Sequence, residues 1–135
     1  MWFTREQFVL CDELRIWGLE PRFEPGDVIA RGFADLGFEE FQVLPSSQML
    51  SLTAGTISRI PEDHKGHFFW IPAVDEGIAW LEARGVVVQQ CMRDDARTWV
   101  LSLLQSDGEA VEACGESLHE TVLRALLLIL KGKRA

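Results

Sequence analysis

The chain has 135 residues, a hydrophobic share of 47%, a charged share of 25% and a formal net charge of −8. These values exclude a disordered chain and fit one folded domain, or one domain with an N-terminal elaboration. Up to Ile60 there are nine acids against five bases, and after it twelve against eight, so each part carries −4 and no basic domain hides behind the total.

The first element is a helix. Thr4-Arg5-Glu6-Gln7 has the form of a capping box, in which two side chains satisfy free backbone N–H groups. Phe8, Val9 or Cys11, Leu14, Ile16 and Trp17 follow at helical spacing, and Gly18 with Pro21 ends the run. Glu24-Pro25-Gly26-Asp27 signals a turn, from which Asp27 could cap a short helix through Val28, Ile29, Phe33 and Leu36 to Gly37. The same letters could form a strand, but Gly32 and Gly37 weaken a strand and favour the helix. Phe38 to Leu44 reads as extended, and Ser46-Ser47-Gln48 opens another short helix through Met49, Leu50 and Leu52. The polar loop Pro61 to Gly66 marks a boundary, which divides the chain into a mainly helical segment, 1–66, and a second domain, 67–135.

In the second domain an apolar run, His67 to Ile71, leads to Pro72, a residue suited to the first position of a helix. The helix carries Ala73, Val74, Ile78, Trp80 and Leu81 on its apolar stripe and ends at Gly85. Three strands follow: Val86 to Arg93, Arg97 to Gln105, and Glu109 to Cys114, with turns at Asp94-Asp95-Ala96 and Ser106-Asp107-Gly108. Ser117-Leu118-His119-Glu120 is a second capping box and opens a leucine-rich final helix. The fold class is therefore α+β: an antiparallel three-stranded meander with two helices on one face, in the order αβββα.

Residues 68–130 resemble the small α-β-α sandwich domain found in bacteriophage and prophage proteins of unknown function. The likeness lies in FFWIPAVDEGIAWLEARG, RTWVLSLLQSDG and GESLHETVLRALLLIL. There a proline-started helix precedes a hairpin, and a small-residue turn leads into an Ala/Leu-rich helix. The resemblance implies a fold and a phage or prophage origin, and it carries no catalytic residue. The order αβββα is also similar to that of double-stranded-RNA-binding domains, which meet RNA through a basic helix start and basic loops. Here the helix starts with Glu116 and Glu120, which repel phosphate.

Candidate chemistry is sparse. Asp63, His64 and His67 offer H-x-x-H with a carboxylate, and Glu62 stands beside them as a further donor for a transition metal. Cys114 precedes a helix start, where the dipole can activate a thiol, with His119 five residues on. The bland alternatives are solvated loop histidines and a cysteine that fills the end of a buried strand. Glu39-Glu40, Glu62-Asp63 and Asp94-Asp95 read as carboxylates on turns or exposed edges, whereas acid–base catalysis needs two carboxyls in different environments across a pocket. No cofactor is implied. Lys131, Lys133 and Arg134 form the one basic cluster and suit a helix C-terminus, so direct nucleic-acid binding is not expected. The widely spaced Cys11, Cys91 and Cys114 suit a reducing bacterial cytoplasm. The first residues, MWFTREQF, lack the pattern of a signal peptide, and no stretch reaches the roughly 18 apolar residues of a membrane span.

The clearer clue is apolar excess. Val100 and Leu104 alternate against Trp99, Leu101 and Leu103, and Leu123, Leu127, Leu128 and Leu130 extend round the last helix. Apolar residues on both sides of a sheet call for cover on both sides. The opening helix or a second subunit supplies it. These six residues are the expected interaction surface of a protein-binding module, with the chain itself as one possible partner. The alternatives are an acidic anti-defence inhibitor that mimics nucleic acid and a small metal- or thiol-dependent enzyme.

Overall fold

Thr4 and Gln7 close the capping box as expected. The Gln7 N–H donates to Thr4 Oγ1 (3.2 Å) and the Thr4 N–H to Gln7 Oε1 (2.9 Å), which starts helix α1, Arg5–Ile16. The computed structural model describes residues 3–33 and 37–132 and divides the chain into two compact units, Met1–Ile71 and Pro72–Ala135. It is an α+β protein with one antiparallel sheet of five strands and one of three.

The first unit is a sheet with one α-helix, not a mainly helical segment. Its strands are β1, Val28–Phe33; β2, Gly37–Leu44; β3, Gln48–Ser51; β4, Ile57–Arg59; and β5, Phe69–Trp70, in the order β4-β3-β2-β1-β5. Of the stretch 27–37 expected as a helix, Val28–Phe33 form β1 and Gly37 opens β2. Gly32 does not weaken β1, because it lies opposite Phe38, whose ring would be 3.4 Å from a β-carbon at that position. Leu36 lies outside the described residues. Asp27, read as a helix cap, turns back to accept the Glu24 N–H (3.0 Å) and an Arg22 guanidinium N–H (2.7 Å). The second expected helix, from Ser46, is also absent. Ser46 and Ser47 take φ of +65° and +58°, a left-handed pair that reverses the chain into β3. The run Phe68–Ile71 belongs to this unit, not to the second, because Trp70 and Phe69 pair with Ile29 and Ala30 of β1.

Alternation divides the core of this unit between two sheet faces. One face gathers Ile29, Phe41, Val43, Met49, Ile60 and Phe68. On the other, α1 packs against β5 and β2; Phe8 stacks on Phe38 at 4.9 Å, and Phe38 meets Phe69 edge-on at 5.8 Å. Glu40 is buried within β2, and its Oε2 has no hydrogen-bond partner.

The second unit follows the expected order: α2, Val74–Ala83; β6, Val87–Arg93; β7, Trp99–Leu104; β8, Ala110–Gly115; α3, Leu118–Gly132. Pro72 precedes α2 rather than opening it; the Ala73 N–H donates to Glu76 Oε1 (2.9 Å), and the Pro72 carbonyl accepts the Nε2–H of His119 on α3 (2.6 Å). At the start of α3 the Glu120 N–H donates to Ser117 Oγ (3.1 Å), while the Glu120 carboxylate accepts the N–H of Glu116 (2.9 Å). Helix α3 packs on β7, β8 and α2, and α2 packs on β6. At Gly77 the two helices are in close contact: a β-carbon there would lie 2.5 Å from Val122 Cγ1.

Two stability predictions follow from these contacts. Helix propensity favours alanine over glycine by about 1 kcal/mol, yet Gly77→Ala is expected to lower stability by about 1–3 kcal/mol through overpacking. Urea unfolding should show that loss, and measured against the Val122→Ala variant the same substitution should cost much less. Glu40→Met, which takes away a buried unpartnered oxygen, is expected to raise stability by about 1–3 kcal/mol in the same assay. A fall in the midpoint would contradict that assignment.

Candidate functional site

Strand β7 sits between β6 and β8, so its alternation sorts the whole sheet. Leu101 and Leu103 are fully buried on the helix side, together with Ala113 of β8. Val100, Ser102 and Leu104 point the other way. The register sets three cross-strand rows on this open face: Val87–Leu104–Ala110, Gln90–Ser102–Glu112 and Met92–Val100–Cys114. A bulge between Val88 and Gln90 keeps Val87 and Met92 on one side, although their numbers differ by an odd interval.

Two apolar rows thus flank one polar row. Val87 is 56% and Met92 47% exposed, Ala110, Cys114, Gln90 and Glu112 are also exposed, and the central Val100, Ser102 and Leu104 are half-buried by their neighbours. Val100 and Leu104 were legible as apolar residues on the second face. Val87, Met92 and Cys114 were not, since their membership depends on register and on the bulge.

The leucines of α3 divide differently from expectation. Leu123 and Leu127 are buried and belong to the core, because α2 and the sheet enclose a wide arc of the helix. Leu128 is 42% exposed and Leu130 half-buried. Lys131 is described, while Lys133 and Arg134 lie outside the described residues. Within the first unit, Phe8, Leu10, Cys11 and Leu14 of α1 are buried, and α1 packs on the five-stranded sheet.

The enzyme candidates do not assemble. His64 and His67 lie on a 3₁₀ turn, Glu62–His67, with ring centroids 5.2 Å apart; both are exposed, as is Asp63. Among the described residues no three His, Cys, Asp or Glu side chains converge as a metal site. Cys114 is exposed rather than filling a buried strand end. It lies in the open-face row with Met92 and Val100, whereas α3, with His119, packs on the opposite face beside Ala113. The sheet therefore separates that thiol from that imidazole. Of the carboxylate pairs, Glu39 is bound to Arg31 (3.2 Å), and Glu40 is buried rather than on an exposed edge. A groove of about 370 Å³ in the first unit is lined by Arg15, Phe23 and Lys65 among others. Its cations already have partners, Arg15 in Asp12 (2.9 Å) and Lys65 in Glu62 (3.3 Å).

No helix of the described residues is long and apolar enough to cross a membrane. Comparison with protein-family models, with curated proteins and with solved structures gives no match.

The three thiols should separate cleanly. Cys91 and Cys114 are exposed, whereas Cys11 is buried, and that burial, with Asp12 beside it, pushes its thiol pKa far up. Under native conditions at pH 8 a disulfide reagent is expected to titrate Cys91 and Cys114 at once and Cys11 only on unfolding. Equal reactivity at all three would contradict the packing of α1.

Proposed function

We propose that this chain is a small phage- or prophage-derived protein that acts as a non-enzymatic protein–protein interaction module. Its working surface is the open face of the three-stranded sheet. The observation that carries the reading is the pair of apolar rows on a face whose edge residues are exposed. A sheet face designed for water alternates polar residues outward. Here Val87, Met92, Val100 and Leu104 occupy outward positions without any need from the core, which Leu101, Leu103 and α3 already fill.

Interfaces combine apolar contact area with a limited number of direct hydrogen bonds. The Gln90–Ser102–Glu112 row supplies hydrogen-bonding groups between the apolar rows. A catalytic reading finds less support: His64 and His67 are solvated, and the sheet lies between Cys114 and the imidazole of His119.

The test is site-specific photo-crosslinking in cells that produce the protein. A benzophenone side chain at position 92 or 104 is expected to yield discrete protein adducts, and the same group at exposed Glu82 on α2 should yield none. Absence of adducts from both sheet positions would overturn the proposal.

A further inference from the structure

We infer that the open face binds a second copy of this chain, in a face-to-face homodimer whose two-fold axis runs parallel to β7. The inference rests on the interaction reading above and goes further by naming the partner and the geometry. Two stacked sheets pack about 10 Å apart with strand directions within about 30° of each other. A two-fold axis along β7 lays each β7 over its counterpart and each β6 over the partner's β8. With Ser102 over Ser102 of the other copy, every row meets itself in reverse order.

The side chains then match in size and polarity. Val87 meets Ala110 and Met92 meets Cys114, a large residue over a small one at all four corners. Leu104 and Val100 meet their own copies along the centre. In the middle row the Gln90 amide faces the Glu112 carboxylate, which has lone pairs to accept its N–H groups. A carboxylate that accepts such a bond is stabilised more than a neutral acceptor would be. The other in-plane axis, perpendicular to the strands, lays β8 over β8. It sets Glu112 against Glu112 and bulky Met92 against bulky Val87, so charge and size both select the first axis.

The face is small. Three strands about 4.8 Å apart and six residues long present roughly 300–400 Å² per copy, below the 800 Å² of a standard interface. The dimer is therefore a weak one, governed by protein concentration.

Sedimentation velocity on the full chain across a wide concentration series tests this. The wild type is expected to shift from monomer to dimer at concentrations on the order of 10–100 μM. Gln90→Glu sets carboxylate against carboxylate and should weaken the dimer about tenfold or more, less so at high salt. Adding Glu112→Gln to that variant swaps the two partners and should restore association. These positions are exposed, so circular dichroism should report the same fold for all variants. A chain that stays monomeric throughout the series, or a dimer indifferent to Gln90→Glu, overturns the self-pairing. If self-pairing is lost while positions 92 and 104 crosslink to another protein, the interaction reading survives alone. If neither is seen, both fall.

Discussion

Both helices of the C-terminal unit lie on the same face of a three-stranded sheet, and Gly77 is what lets them do so. Its missing side chain admits Val122, whose Cγ1 occupies the space a β-carbon would need. With α2 drawn against α3, the pair spans the strands from β6 to β8 and buries Leu101, Leu103 and Ala113 beneath it. Nothing is then left of either helix for the second face. The apolar residues of that face follow from the same alternation that serves the core, and the proposed interaction rests on them.

Buried charge is handled in two different ways. Glu120 is buried at the start of α3, but its oxygens are used: one accepts the Glu116 N–H and the other binds Arg124 at 3.1 Å. It sits at a helix N-terminus, where negative charge is favoured. Glu40 is buried in the middle of β2 with Oε2 unpartnered; among the described residues the indole N–H of Trp70, on β5 of the same sheet, is the other such group. The first arrangement locks a helix start against β8, where Gly115 leaves room for Thr121. The second weakens the unit in which it lies.

The second unit was largely legible because its signals are local. Asp107-Gly108 calls for a reversal, β7 alternates, and Ser117 through Glu120 caps a helix, each within a few residues. The first unit was not, because its signals are pairwise. Gly32 looks like a strand breaker until Phe38 is placed across from it. Ser46 and Ser47 look like a helix start until their left-handed geometry sends β3 back along β2. The apolar run Phe68–Ile71 looks like the opening of the second domain, but it completes the first sheet against β1.

The amino-acid order alone determined the α+β class, the sequence of elements from residue 72 onward and the fact that more apolar surface existed than one core requires. Period and capping are properties of neighbours along the chain, so they survive without coordinates. Which leucines of α3 are core, and which side chains of β6 and β8 join Val100 and Leu104, was decided only in three dimensions. Helix packing sets how wide an arc of α3 is enclosed. A single bulge in β6 sets which of its residues face outward, because inserting one residue reverses every side chain beyond it.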